Sequence, residues 1–108
     1  MGRASILGEL EQMVLMAVLR LETPYPVSVR NEIADVAGVE LSRGTIYVTL
    51  LRLERRGLVE SWLGDPTPER GGKARRCFRV TTRGRRELAD SRAALSRLAD
   101  GIEPTRGR

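Results

Sequence analysis

The stretch LSRGTIYVTLLRLERRGL, residues 41–58, decides how this chain is read. Ile46, Leu50 and Leu53 recur at three- and four-residue spacing, which predicts a helix with one apolar face. Ser42 stands where an N-cap belongs, since its hydroxyl can accept the backbone N–H of Gly44 or Thr45. The helix runs to Arg56, and Gly57 ends it. On the helical wheel Gly44, Thr45, Val48, Arg52 and Arg55 lie opposite the apolar side, with Arg43 and Tyr47 on the flanks. Leu51 also points outward. The outer face is therefore small at its start and cationic further along. Such a face suits an anionic partner, because small groups permit close approach and helix N-terminal N–H groups favour phosphate. It is equally the pattern of a solvated basic surface, and this helix alone does not separate the two.

On the N-terminal side, LGELEQMVLMAVLRL (7–21) places Leu7, Leu10, Val14, Ala17 and Leu21 on one stripe, widened by Met13 and Val18. This predicts an amphipathic helix that stops before Thr23-Pro24. The Pro-Tyr-Pro run at 24–26 forces an extended connection. Residues 27–37 form a second short helix with Val29, Ile33, Val36 and Ala37 inward, closed by Gly38.

On the C-terminal side, residues 58–64 and 75–81 read as strands. In the second, Cys77, Arg79 and Thr81 share one face, and Phe78 and Val80 share the other. The intervening DPTPERGGKA (65–74) has two prolines, two adjacent glycines and four charged residues, the composition of a mobile hairpin loop. Thr82 can cap a last helix over 83–101. Leu88, Leu95 and Ile102 sit seven apart, with Leu98 in a second seam position, a short heptad-like stripe. That stripe suits pairing with another copy of the helix; it would equally pack on the domain's own first helix. The tail after Pro104 is expected to be disordered.

Composition narrows the function. The 108 residues fit one domain, and four aromatics among 41% hydrophobic residues make a thin core. A chain this short often completes its burial by pairing with a copy of itself. Of the net +5, residues 42–86 carry twelve Arg or Lys against four Asp or Glu, while the flanks are mildly acidic. Concentrated arginine suits a polyanion, because each phosphate neutralised releases condensed counterions. There is no His and one cysteine, Cys77. This excludes an intrachain disulfide, a multi-cysteine zinc site and His-assisted nucleophilic catalysis. No enzyme activity, cofactor or metal is expected. The Gly71-Gly72 pair lies between strands without a following helix, so it is not a nucleotide loop. No signal peptide and no apolar run of ~18 residues is present, so a soluble cytoplasmic protein without membrane association is expected.

The order helix–helix–helix–strand–basic loop–strand–helix is that of a winged helix-turn-helix, a mainly α (α+β) fold with a two-stranded wing and a C-terminal dimerisation helix. Residues 1–81 would form the DNA-binding domain, 82–103 the dimerisation helix and 104–108 the tail. The pattern Ser-x-Gly-Thr-Ile-Tyr-x-x-Leu-x-x-Leu-Glu-x-x-Gly-Leu, followed by a Gly–basic wing and Thr-x-x-Gly-Arg, resembles the PadR-like transcriptional regulators. The resemblance covers about residues 6–100. It implies a dimeric winged-helix repressor that dimerises through its C-terminal helix. By position, Ser42, Thr45 and Tyr47 would belong to the recognition helix, Arg70, Lys73, Arg75 and Arg76 to the wing, and Thr81, Gly84 and Arg85 to the start of the dimerisation helix. Three features depart from the pattern. Pro26 follows Tyr25 where many relatives have Gly, and Cys77-Phe78 replaces an aromatic pair. Trp62 is the only tryptophan, so drug stacking between tryptophans on the last helices is not expected.

The resulting expectation is a sequence-specific regulator, a repressor, binding a palindromic site on double-stranded DNA as a homodimer. The recognition helix 42–56 would supply Ser42, Arg43, Thr45, Tyr47, Val48 and Arg52. The wing (65–76) would supply Arg70, Lys73, Arg75 and Arg76. The dimer would use Leu88, Leu95, Leu98 and Ile102, and any small-molecule effector would have to use that helical dimer interface. Tyr47 is open between a phosphate contact and packing on the first helix. Arg83, Arg85 and Arg86 either extend the DNA-facing charge or solvate the last helix. Cys77 reads as a small strand residue and Trp62 as core or rim. The alternative is a winged-helix protein–protein interaction module with an idle basic face.

Overall fold

The computed structural model describes residues 6–64 and 74–102. Its elements are α1 (Glu9–Arg20), α2 (Pro26–Ala37), α3 (Arg43–Arg55), β1 (Val59–Leu63), β2 (Arg76–Val80) and α4 (Thr82–Ala99). Residues 65–73, which hold most of the expected wing loop with Arg70 and Lys73, lie outside the described residues, as does the expected tail at 104–108.

Helix α1 is the hub, touching α2, α3, α4 and β2. Being covered from so many sides, it buries a wider arc than its sequence stripe predicts. Gln12 and Leu15 join Val14, Ala17 and Val18 inside, while Leu10, Met13 and Leu21 are half-buried. The Gln12 amide is satisfied locally, donating from Nε2 to the Leu7 carbonyl at 2.9 Å.

Helix α2 begins at Pro26, a position where a missing N–H costs nothing because first-turn donors have no intrahelical acceptor. Val29 and Ile33 enter the core as expected. Val36 and Ala37 do not. Both are exposed, because no element among the described residues covers the last turn of α2, where they border a shallow apolar groove with Met13 and Met16.

In α3 the predicted faces are realised. Ile46, Leu50 and Leu53 are fully buried, joined by Thr49, whose hydroxyl donates to the Thr45 carbonyl at 2.7 Å. The helix ends one residue early, at Arg55, with Gly57 at φ +78° turning the chain into β1. Leu51 is half-buried.

The strands pair antiparallel with Ser61 opposite Phe78 and Trp62 opposite Cys77. The face carrying Val59 and Phe78 seals the core. Cys77, on the other face beside Arg79, is buried as well, with its sulfur close against Gly64. The far edge of β2 is also engaged, since the Phe78 N–H donates to the Pro24 carbonyl at 2.9 Å. That bond ties the wing to the connection that precedes α2.

The cap of α4 is Thr81, one residue before the expected Thr82. Its hydroxyl accepts from the Gly84 N–H at 3.0 Å and donates to the Gly57 carbonyl at 2.7 Å, so one side chain both starts α4 and clamps it to the end of α3. Leu88 is only 6% exposed and belongs to the core. It therefore leaves the stripe expected to face a partner, because α1 already covers the first half of α4. Ser91, fully buried, accepts the Leu7 N–H at 3.0 Å. Beyond it Leu95, Leu98 and Ile102 are 53%, 78% and 70% exposed. No helix among the described residues is long and apolar enough to cross a membrane.

Candidate nucleic-acid interface

Three elements converge on one side of the molecule: the first turn of α2, the first turn of α3 and the C-terminal root of the wing. Between them lies a cleft of about 420 Å³ bordered by Tyr25, Val27, Arg43, Tyr47, Arg75 and Arg76. Three arginines and two tyrosines thus border a concave surface beside the start of α2.

The start of α3 is built as the sequence indicates. Ser42 accepts the Thr45 N–H at 3.0 Å, and its hydroxyl also donates to the Thr45 hydroxyl at 2.9 Å. Both hydroxyls are therefore oriented by the cap. Arg43, Gly44, Tyr47, Val48, Arg52 and Arg55 are exposed around them. Tyr47, open in the sequence between two roles, stands on the cleft wall beside Arg43. Ser42, Thr45, Val48 and Arg52 line an adjoining, more open surface along the outer side of the helix. A cylinder with small groups at its tip and cations along its flank fits the width of a DNA major groove.

The two described wing cations are held differently. Arg76 donates to the Ser61 hydroxyl at 2.9 Å, and Ser61 in turn donates to the Glu54 carboxylate at 2.6 Å, which links β2 through β1 to α3. Arg75 places its guanidinium 4.0 Å from the centre of the Tyr25 ring. Sequence reasoning missed Tyr25. Its neighbours Pro24 and Pro26 marked only a connection, and no periodicity in the sequence signals that β2 will dock there.

On the opposite side of α3 the cation Arg56 is turned inward. It pairs with Glu11 of α1 at 3.2 Å and with Glu87 of α4 at 3.5 Å, while Arg83 meets Glu87 at 3.1 Å. Trp62 is exposed on the outer face of the sheet, where Arg79 lies over its ring and pairs with Glu60 at 2.8 Å. The basic character of residues 42–86 is thus divided. Arg43, Arg52, Arg75 and Arg76 border the surface described above, whereas Arg56, Arg79 and Arg83 are paired with carboxylates elsewhere.

A helix-turn-helix whose third helix presents such a face, followed by a two-stranded wing and a long helix, defines the winged helix-turn-helix class. The family profile of the transcriptional regulator PadR-like family matches residues 15–90. The chain belongs to this family. Over 64 residues it is 44% identical to the transcriptional regulator Rv3488 of Mycobacterium tuberculosis, a match covering 57% of this chain and 54% of that protein. The chain thus spans about half the length of that curated relative. Among solved structures it resembles a PadR family transcriptional regulator from Eggerthella lenta, with TM-score 0.69 and 30% identity over 87% of this chain and 82% of the other. A PadR-like transcription factor from Bacteroides fragilis superposes with TM-score 0.73 at 22% identity, covering 86% of this chain and 85% of that one.

Proposed function

We propose that the protein is a transcriptional repressor that binds a palindromic site on double-stranded DNA as a homodimer. The observation that carries this reading is the joint surface of α3 and the wing root. Small side chains stand at the exposed tip of a capped helix, and three arginines line the cleft beside it. In this reading α3 lies in the major groove. Thr45, Tyr47 and Val48 approach base edges, Ser42 holds the helix start, and Arg43 and Arg52 meet the flanking backbone. Arg75 and Arg76 contact backbone phosphates at the root of the wing, and Arg70 and Lys73 add to that contact.

The dimer rests on the second half of α4. Leu95 and Leu98 project from it into solvent, Ile102 is exposed just beyond its end at Ala99, and Leu95 also borders a groove with Ile6, Met13 and Met16. Exposed leucines at this spacing on a helix longer than its own domain covers are best buried by a second copy. A two-fold dimer then presents two recognition helices to half-sites about one helical turn apart. Any effector would lie at the interface so formed. Repression follows from occupancy of the operator.

Selection from random DNA followed by gel shift across a salt series tests the reading. The expected result is an enriched palindrome whose binding weakens steeply with salt, with a slope of about −0.9 per phosphate contacted. In that assay R52A should weaken all sequences alike, while V48A should change which sequences bind. Binding that ignores sequence throughout would refute the specific version and favour an interaction module instead.

A further inference from the structure

We propose that Tyr25 is a positioning residue: its ring holds Arg75 at the wall of the cleft, so that the wing root and the helix-turn-helix grip one backbone phosphate as a single unit. The inference rests on the DNA-binding reading above and adds to it a residue outside the recognition helix and the wing.

The backbone around Tyr25 is held at both ends. The Pro24 carbonyl accepts the Phe78 N–H of β2 at 2.9 Å. The Tyr25 N–H donates to the Ser28 hydroxyl at 2.9 Å, and the Tyr25 carbonyl accepts the Val29 N–H at 2.9 Å. Its conformation is extended, with φ −136° and ψ 166°, between two prolines whose own φ angles are locked. The ring is thus carried by a rigid segment docked on the strand that it serves. Arg75 is likewise fixed at its backbone, where its carbonyl accepts the Gly64 N–H at 2.6 Å, the outermost rung of the hairpin among the described residues. Only its side chain is left to be placed, and a guanidinium centred 4.0 Å from an aromatic ring is in stacking contact.

This arrangement has a direct consequence for an anion in the cleft. Arginine on a ring face keeps its N–H edges free, and stacking occupies the plane without using the donors. Arg43 and Tyr47 border the same cleft from the start of α3, and Val27 borders it from the first turn of α2. A phosphodiester oxygen reaching this cleft therefore meets side chains of α3 and of the wing root at once. An unstacked Arg75 would have to lose its rotameric freedom on binding, whereas the stacked one has already lost it.

Two measurements test the proposal, one without DNA. In the free protein the Arg75 side-chain N–H resonances should show an upfield ring-current shift that persists in Y25F and disappears in Y25L. In gel shifts, Y25F should bind as the wild type does, and Y25L should bind about three- to fivefold more weakly, the range of an exposed cation–ring contact. R75A should lower the salt slope by about 0.9, and Y25L should add no further loss in the R75A background. Equal losses from Y25L with and without Arg75, a Y25F as weak as Y25L, or no ring-current shift would each overturn the role. A wild-type protein that shows the shift but binds no DNA would overturn both the phosphate assignment and the DNA reading, leaving only the stack. Wild-type binding that is intact and indifferent to R75A would overturn this inference alone.

Discussion

Helices α3 and α4 each carry a glycine in their first turn, and the two should respond oppositely to alanine. At Gly84 a Cβ would overlap the Leu58 carbonyl oxygen and stand 2.8 Å from Val80 Cγ1 and 3.0 Å from the Leu58 carbonyl carbon. Two of these three are backbone atoms of Leu58, just before β1, so no rotamer change relieves them. The helix must lift. Lifting strains the clamp in which the Thr81 N–H donates to the same Leu58 carbonyl at 3.0 Å and the Thr81 hydroxyl donates to Gly57. Overpacking of this kind costs about 1–3 kcal/mol, and each hydrogen bond lost adds about 1 kcal/mol. Alanine's helix preference returns at most ~1 kcal/mol. The net for G84A is a loss of roughly 2–3 kcal/mol, or at least about 10 °C in Tm for a domain of this size. At Gly44 the nearest atom to an added Cβ is the Ser42 hydroxyl at 3.9 Å, so G44A meets only ordinary contact and should be neutral or stabilising by up to ~1 kcal/mol. Urea denaturation of both variants and the wild type at one fixed protomer concentration decides the matter, since association makes stability concentration-dependent. A G84A protein as stable as the wild type would show that the close approach of α4 to Leu58 is not a constraint, and the argument would fail.

The split of the α4 stripe has its own test. L98E should shift sedimentation equilibrium toward monomer while leaving the fold intact, whereas L88A should lose about 2–5 kcal/mol of folding stability as a core truncation. Unchanged association in L98E would remove Leu98 from any interface. S91A leaves the buried Leu7 N–H without that acceptor and should cost about 1–3 kcal/mol, with faster amide exchange at Leu7; wild-type stability in S91A would mean that the 3.0 Å bond is dispensable.

Much of the architecture was legible from local chemistry. The three- and four-residue spacing of Ile46, Leu50 and Leu53, the hydroxyl of Ser42 and the glycine at 57 act within one or two turns of chain. A reader of the sequence meets the same forces as the folded protein does. The same holds for the alternation of β2 around Phe78. Errors arose where exposure depends on a neighbouring element. Val36 has an inward phase but no cover among the described residues, and Gln12 has an outward character but lies under several elements at once. The cap of α4 was misplaced by one residue, because Thr81 and Thr82 are equivalent as capping types. Only the Gly57 carbonyl, 24 residues away in sequence, selects between them.

The sequence by itself determined the order of elements, the two faces of α3 and the concentration of arginine after residue 42, because periodicity, capping and composition are properties of short segments. Tertiary structure alone decided which arginines border the cleft and which are paired with carboxylates elsewhere. It also decided that Leu88 belongs to the core while Leu95, Leu98 and Ile102 remain exposed, and that Tyr25 carries Arg75. Each of those outcomes depends on where one element ends against another. Distance along the chain carries no record of that encounter.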